Sequence, residues 1–282
     1  MLNQTDTFTL SNGVRIPCIG FGTFRIPDGQ ICEEAVAAAL HDGYRHIDTA
    51  AVYGNERSVG RAIAESGVDR SKIFLTSKVW NDHRSFDGTL RSFDATLHCL
   101  GTDYLDLYLI HWPSPRRPDN PDWNAINEDT WRALERLYEE GRVRAIGVSN
   151  FRRHHLEAMH TEIEPMLDQI EYHPGQTEST TVAYCREHGI LIEAWSPLGS
   201  GSMFQSAVLR DIAGTYGKDV AQIIIRWCLQ NDVLPLVRST ISAHIRSDLR
   251  VFDFALSNTD MRRIDAIPFF AGSGLDPDAV NF

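Results

Sequence analysis

Short apolar strands alternate with amphipathic helices along almost the whole chain of 282 residues. The helical segments place apolar residues three and four positions apart, and the segments between them are short apolar runs. Strands and helices that alternate in this way build a parallel sheet covered by helices. The predicted strands are residues 19–22, 46–48, 73–78, 105–111, 145–149, 167–171, 191–195 and 234–238. The predicted helices are residues 33–41, 56–66, 86–99, 129–140, 153–160, 180–188 and 220–230.

Eight such strands either close into a barrel or lie open in a doubly wound sheet. The open sheet normally carries a G-x-G-x-x-G turn after its first strand, but Phe24 and Arg25 follow Gly20 and Gly22 here. The length also suits one (β/α)8 barrel, which typically has ~250 residues. We therefore predict an α/β fold, a (β/α)8 TIM barrel that forms a single domain over residues 1–282. An N-terminal β-hairpin, residues 7–10 and 14–17, is expected around an Asn-Gly turn.

Composition narrows the classes of function. The formal net charge is −11, which disfavours binding of a nucleic acid backbone. The five cysteines contain no C-x-x-C pair, as expected for free thiols in a reducing compartment. No apolar run approaches the ~20 residues of a membrane span, and no secretory signal is recognisable at the beginning of the sequence. These features predict a cytoplasmic protein without a membrane or nucleic acid partner.

Polar residues close several of the apolar strands. Asp48, Lys78 and His111 end the second, third and fourth predicted strands, and Tyr53 follows the second. The carboxyl ends of the strands form the active-site face of a barrel. A charge inside a barrel is costly unless it is paired, so Asp48 and Lys78 are expected to compensate each other. Taken singly, each of these residues also fits a structural role, and His111 alone fits a core histidine.

The four residues together suit the reduction of a carbonyl group. That reaction needs a hydride donor and an acid that protonates the developing alkoxide. We expect the ammonium of Lys78 to lower the pKa of Tyr53, with Asp48 holding Lys78 in place. His111, as a neutral imidazole, would orient the carbonyl oxygen. Neither a metal nor a covalent nucleophile is required.

Longer motifs strengthen this hypothesis. They read GYRHIDTA at 43–50, YGNE at 53–56, LIHWP at 109–113, GRVRAIGVSNF at 141–151, QIEYHP at 169–174, WSPLG at 195–199 and VFDF at 251–254. In this order they resemble the aldo-keto reductase family over nearly the whole chain. The short loops and the segment DPD at 276–278 are most similar to the bacterial branch that includes 2,5-diketo-D-gluconate reductases. The resemblance implies a catalytic tetrad of Asp48, Tyr53, Lys78 and His111, with Tyr53 as the proton donor.

The resemblance also implies an extended nicotinamide cofactor across the barrel mouth. Ser149, Asn150 and Gln169 would bind the carboxamide, and Trp195 would stack on the nicotinamide ring. The other implied cofactor contacts are Gly22, Thr23 and Asp48 beside the ring, and Ser196, Leu198 and Gly199 at the pyrophosphate. Outside the family, Trp195 also fits a core position and Ser149-Asn150 a helix cap.

The adenosine-phosphate segment departs from the family pattern, which usually reads Ile-Pro-Lys-Ser with a later arginine and asparagine. Arg238, Ser239 and Thr240 stand in this segment, and a guanidinium binds phosphate well. His244 replaces the arginine and gives a weaker, pH-dependent contact. Asp248 replaces the asparagine and would either repel the phosphate or bind the adenine. We predict NADPH as the usual donor, with NADH as the alternative.

Aromatic residues are expected to line the substrate pocket. Phe24, Trp80 and Trp112 would form its walls beside His111, which favours apolar or sugar-like aldehydes and ketones, keto-sugars and dicarbonyls among them. A monomer is expected. Two rival functions stay open: a binding protein on the same barrel that has lost activity, and a metal-dependent hydrolase. The hydrolase would need converging His and Asp ligands, and His111 has no H-x-H partner.

Overall fold

The computed structural model describes residues 2–270 and 272–282, and a closed barrel of eight parallel strands lies at its centre. Each barrel strand pairs with its neighbours in chain order, and the last pairs with the first. The predicted (β/α)8 fold is therefore confirmed. The barrel strands are β3 (Gly20–Gly22), β4 (His46–Asp48), β5 (Phe74–Val79), β6 (Leu107–Ile110), β7 (Ile146–Ser149), β8 (Leu167–Glu171), β9 (Leu191–Trp195) and β10 (Leu234–Val237).

The predicted hairpin precedes the barrel. Its strands, β1 (Thr7–Thr9) and β2 (Arg15–Pro17), pair antiparallel as a separate sheet. Gly13 has a positive φ of 85°, which the tight turn between the strands requires. The Asn12 amide donates to the backbone carbonyl of Arg144, just before β7. The hairpin therefore lies at the amino end of the barrel, and the opposite end is left open for a site.

Helices surround the barrel and bury their apolar stripes against it. They are α1 (Gln30–Asp42), α2 (Glu56–Glu65), α3 (Phe86–Leu100), α4 (Trp123–Glu139), α5 (Arg153–Ala158), α6 (Ser179–Glu187), α7 (Ala207–Tyr216), α8 (Val220–Gln230), α9 (Ser242–Asp248) and α10 (Asn258–Asp265). Three of them, α7, α9 and α10, lie outside the ranges that the periodicity predicts. Helix α4 begins at Trp123, six residues before its predicted start.

The barrel interior is tightly filled near Gly20. A Cβ atom on Gly20 would lie 2.4 Å from a methyl group of Leu236 and 2.6 Å from Nδ1 of His46. A larger residue would therefore displace the inward-pointing His46. None of the helices in the described ranges combines the length and the apolar character that crossing a membrane demands.

Candidate active site

The four candidate catalytic residues meet at the carboxyl end of the barrel. Asp48 ends β4, Lys78 lies near the end of β5, and His111 directly follows β6. Tyr53 closes a short 3-10 turn, Ala51–Tyr53, that begins just after β4. Neighbouring parallel strands in register bring these ends to one side, since Lys78 pairs with Leu109 two residues before His111. The predicted cluster therefore assembles.

Lys78 is the centre of this cluster and is fully buried. Its ammonium donates to both carboxylate oxygens of Asp48 at 2.7 Å and to the backbone carbonyl of Thr49 at 2.9 Å. The phenol oxygen of Tyr53 lies 3.4 Å from the same nitrogen. A buried ammonium with these partners is compensated in charge and fixed in direction.

Burial and the neighbouring charges shift the pKa values of Lys78 and Tyr53 in opposite directions. Burial alone would lower the pKa of Lys78, but Asp48 and Tyr53 outweigh it and raise that pKa above its usual value. Burial raises the pKa of Tyr53 to about 12, and the ammonium of Lys78 opposes this rise without cancelling it. The ammonium of Lys78 does act to lower the pKa of Tyr53, as expected, but desolvation is the larger effect, so the phenol is less acidic than free tyrosine rather than more acidic. The phenol stays protonated at every physiological pH.

His111 is held neutral beside the phenol. Burial, with the charge of Lys78 as a second cause, lowers the pKa of His111 well below its usual value. Its Nδ1 is buried and makes no hydrogen bond to any described residue, so Nε2 is the ring nitrogen left for a bound molecule. The imidazole ring meets the ring of Tyr53 edge-on at 5.6 Å between centroids. This neutral imidazole agrees with the sequence prediction.

A second cluster joins the ends of β7, β8 and β9. Trp195 donates from its indole nitrogen to the amide oxygen of Asn150 at 2.8 Å. The Asn150 amide nitrogen donates to the backbone carbonyl of His111 and to the Ser149 hydroxyl. The Gln169 amide nitrogen donates to Asp48 at 3.0 Å. These bonds fix the partly exposed indole of Trp195, and the amide oxygen of Gln169 accepts no hydrogen bond from a described residue.

Known proteins resemble this chain in sequence and in fold. The model of the Aldo/keto reductase family matches residues 18–268. The uncharacterized oxidoreductase YtbE of Bacillus subtilis (strain 168) is 48% identical over 280 residues, 97% of each chain. Glyoxal reductase of the same organism is 46% identical over 279 residues, 98% of each chain. The crystal structure of a Gox0644 mutant in complex with NADPH aligns with a TM-score of 0.89 and 35% identity over 99% of each chain.

The chain belongs to the aldo/keto reductase family. The predicted family membership is confirmed, and the reaction class comes with it. This aldo/keto reductase is an NADPH-dependent oxidoreductase that reduces aldehydes or ketones to alcohols. Its similarity to the 2,5-diketo-D-gluconate reductase branch stays a prediction.

The remaining residues predicted beside the nicotinamide and pyrophosphate lie at the same mouth of the reductase barrel. Thr23 is fully buried, and its hydroxyl donates to the backbone carbonyl of Asp48, so its side chain supports β4. Gly22 pairs with Asp48 in the sheet. Ser196 and Gly199 both have positive φ, which bends the chain sharply after β9 and brings Leu198 into the same turn.

The predicted adenosine-phosphate residues follow β10. Arg238, Thr240 and His244 are exposed, and the guanidinium of Arg238 has no carboxylate within ion-pair distance in the described part of the chain. Ser239 is nearly buried and accepts from the backbone N–H of Ile241. Asp248 is also buried, and burial raises its pKa to about 7. Asp248 is therefore partly protonated at neutral pH. This weakens the repulsion between Asp248 and a phosphate, which the sequence analysis considered.

Aromatic rings stand over the tetrad as predicted, with one addition. Phe24 lies against Tyr53 and Trp80 against His111, with ring centroids 5.0 and 5.1 Å apart. Phe282 stacks on Trp80 at 5.3 Å and meets Trp112 edge-on at 5.3 Å. Sequence reasoning missed Phe282, because the segment around it has no periodicity and only tertiary contacts bring it to the mouth.

A histidine pair anchors this last segment. His155 and His154 both contact the carboxylate of Asp278, at 3.0 and 3.2 Å. The backbone N–H of Arg152 donates to Nδ1 of His155, so the proton of that neutral ring is on Nε2, which faces Asp278. A metal ligand needs a free lone pair at this nitrogen. The three side chains therefore form a hydrogen-bonded anchor rather than a set of metal ligands.

Proposed function

We propose that Tyr53 is the proton donor of the reductase and that Asp48 and Lys78 hold it ready. The 3.4 Å contact between the ammonium of Lys78 and the phenol oxygen carries this proposal. Protonation of the carbonyl oxygen leaves a phenolate on Tyr53, and the adjacent ammonium stabilises that new charge. After the reaction the phenolate takes up a proton again before the next turnover.

His111 would bind the carbonyl oxygen next to the phenol. A neutral imidazole donates one hydrogen bond without bringing a second positive charge close to Lys78. The edge-on contact between the rings of His111 and Tyr53, with 5.6 Å between their centroids, supports a site in which both donors reach the same carbonyl oxygen. Two donors that converge on one oxygen orient the carbonyl carbon as well as activating it.

The mouth fits a nicotinamide cofactor. The indole of Trp195 is locked by Asn150 yet partly exposed, which suits stacking of a flat ring. The amide oxygen of Gln169 would accept a hydrogen bond from the carboxamide, because the amide nitrogen of Gln169 already donates to Asp48. When bound, the reduced nicotinamide supplies the two electrons that the carbonyl carbon takes up. Asp48 contributes to this side of the mouth through Gln169.

The choice of NADPH would depend on Arg238. Its guanidinium is exposed and unpaired among the described residues, and a 2′-phosphate is a good partner for it. Ser239, Thr240 and His244 lie close in sequence and would complete the phosphate site. Asp248 is near neutrality and so would tolerate the phosphate, with NADH as a weaker donor.

Small dicarbonyl compounds are the proposed substrates. The relative named glyoxal reductase is 46% identical to this chain. Phe24, Trp80, Trp112 and Phe282 crowd the space above the tetrad, which favours small or flat carbonyl compounds over bulky ones. Keto-sugars are the next candidates. We further propose that residues 1–282 act as one barrel domain, as a monomer, and in the cytoplasm, where the five free thiols would stay reduced.

A substrate panel tests these proposals. Glyoxal, methylglyoxal, a keto-sugar acid, simple aldehydes and simple ketones are compared by the loss of NADPH absorbance. We expect the highest kcat/KM for the dicarbonyls. Equal or higher kcat/KM for bulky aromatic ketones would contradict the proposed substrate class, and a complete lack of turnover would favour the binding-protein alternative.

A further inference from the structure

A second carboxyl group lies inside the barrel below the tetrad. Glu193, in the middle of β9, is completely buried and faces His46 of β4, with 3.5 Å between Oε1 and Nδ1. Strands β9 and β4 are not neighbours in the closed sheet, so this contact runs across the barrel interior. Gly20 leaves the space that His46 occupies. Neither Glu193 nor His46 has a role in the proposed mechanism.

One side of Glu193 is tied to the tetrad. Its Oε2 accepts from the amide nitrogen of Gln169 at 2.7 Å, and the same nitrogen donates to Asp48 at 3.0 Å. An amide group has two hydrogens, so Gln169 can serve both carboxyl groups at once. The orientation of Gln169 at the nicotinamide site therefore depends on Glu193 as well as on Asp48.

On the other side of Glu193, two facing polar atoms lack a hydrogen-bond partner. Oε1 is buried without a hydrogen-bond partner among the described residues, and so is Nδ1 of His46 opposite it. The other ring nitrogen, Nε2, lies 3.1 Å from the hydroxyl of Thr76. A single hydrogen between Oε1 and Nδ1 would give both atoms a hydrogen-bond partner. Without one, each buried polar atom lowers the stability of the fold.

Charge decides which group carries that hydrogen. The ammonium of Lys78 is already engaged by both oxygens of Asp48, so an ionised Glu193 would be a buried anion with no contacting cation. Burial, reinforced by the charge of Asp48, raises the pKa of Glu193 to about 8. Burial, with the charge of Lys78 as the second cause, lowers the pKa of His46 to about 3, so the imidazole is neutral. The hydrogen therefore belongs to Glu193 at neutral pH.

The charge of Glu193 also reaches the proton donor. The titratable groups that face the Glu193 side chain are His46 and Asp48 from β4, Lys78 from β5 and, beyond them, Tyr53. An anionic Glu193 is among the causes that raise the pKa of Tyr53 and of Lys78. A neutral Glu193 leaves the Asp48–Lys78 pair without net charge, which keeps the phenol a stronger acid.

We propose that Glu193 is a positioning residue that works as a neutral carboxylic acid. It donates from Oε1 to Nδ1 of His46 and accepts on Oε2 from Gln169, and so holds the Gln169 amide against Asp48. Ionisation of Glu193 switches the tetrad to a state with a weaker proton donor. This inference rests on the proposed role of Tyr53 for its effect on catalysis, but the protonation state of Glu193 does not.

Two matched substitutions test the positioning role. Glu193→Gln keeps the shape, donates to His46 and accepts from Gln169, whereas Glu193→Met fills a similar volume without hydrogen bonds. We expect single-turnover NADPH oxidation at pH 7 to fall roughly tenfold in E193M, because buried polar partners are left unsatisfied, and to be largely rescued in E193Q. Equal rates in both variants, with the same thermal midpoint, would overturn the positioning role.

The pH profile tests the switch. The wild-type single-turnover rate should fall several-fold as the pH rises through about 8, the pKa of Glu193. Tyr53, with its pKa of about 12, cannot cause a fall in this range. E193Q cannot ionise, so its rate should stay flat from pH 7 to 9. The same fall in E193Q and wild type would contradict the proposal.

Infrared difference spectroscopy tests the protonation state without any turnover. The wild-type minus E193Q spectrum of the NADPH-bound protein at pH 6.5 should contain the C=O band of a protonated carboxylic acid. Carboxylate bands in its place would show that Glu193 is ionised and would refute the inference whatever the activity. If the acid band is present while Tyr53→Phe keeps full turnover, the proposed role of Tyr53 fails and the state of Glu193 stands.

Discussion

At the scale of single residues, the proposed mechanism depends on the phenol of Tyr53, which burial makes less acidic, and on the ammonium of Lys78, which stabilises the phenolate. The pKa of about 12 means that Tyr53 is fully protonated at neutral pH. A developing alkoxide is a much stronger base than this phenolate, so proton transfer remains downhill. Lys78 matters most after the transfer, when the charge appears 3.4 Å from its nitrogen.

Removal of the phenol hydroxyl is the direct test. We expect Tyr53→Phe to lower kcat by about 10²–10⁴-fold, the usual contribution of a general acid. NADPH affinity, measured by quenching of protein fluorescence, should change little, since Trp195 and Gln169 are untouched. Turnover within tenfold of wild type would contradict the role of Tyr53 as the acid.

A second residue-scale prediction concerns the choice of cofactor. Arg238→Ala should raise the KM for NADPH by about 10–100-fold, because a hydrogen bond to a charged group contributes ~1.5–3 kcal/mol. The KM for NADH should hardly change, since NADH has no 2′-phosphate. Arg246→Ala is the matched control: this exposed arginine of α9 already pairs with Asp42. A parallel rise in KM for both cofactors would show that Arg238 does not bind the 2′-phosphate.

At the scale of elements, residues 272–282 cover the aromatic residues that are predicted to line the substrate pocket. Asp278 is anchored by His154 and His155, and Phe282 lies between Trp80 and Trp112. The Asn81 amide donates to the backbone carbonyl of Phe282 and fixes it further. This segment therefore adds Phe282 to the aromatic residues of the predicted pocket.

Loss of the Phe282 ring should change which substrates are accepted. We expect Phe282→Ala to raise the KM for small dicarbonyls several-fold, because two aromatic contacts of about 0.5–1.5 kcal/mol each are lost from the wall. Bulky aromatic aldehydes should gain in kcat/KM relative to glyoxal. Phe282→Tyr keeps the ring and serves as the control. An unchanged ratio between bulky and small substrates would show that Phe282 does not line the pocket.

At the scale of the whole molecule, buried acids tie stability to pH. Asp168, on β8, is fully buried and forms no ion pair with a described residue. Burial raises its pKa well above the usual value. The unfolded chain releases this proton above pH ~4 while the folded protein keeps it, so the free energy of unfolding falls as the pH rises.

Replacement of this acid should flatten the pH dependence. One such group changes the free energy of unfolding by at most ~1.4 kcal/mol per pH unit between its two pKa values. We expect urea unfolding between pH 5 and 8 to show a smaller decline for Asp168→Asn than for wild type. Asp103→Asn, at an exposed position, should reproduce the wild-type slope. Identical slopes in all three proteins would mean that Asp168 is not a protonated buried acid.

The sequence by itself determined the fold class and the positions of the tetrad. Alternating strand and helix patterns specify a parallel barrel, because each apolar face must be covered by the next element. Once the strands are parallel, their carboxyl ends meet, so the order of the strands is enough to place Asp48, Lys78 and His111 together. Glu193 carries a similar signal, since it is a charged residue inside an apolar strand, two positions before Trp195.

The tertiary structure alone decided the quantities that depend on distance across the barrel. Burial against the attraction of Lys78 set the pKa of Tyr53, and no local pattern measures desolvation. The contacts of Phe282 with Trp80 and of Glu193 with His46 join residues about 200 and about 150 positions apart. Sequence periodicity reports only on neighbours within one element, whereas closure of the barrel brings such distant side chains together.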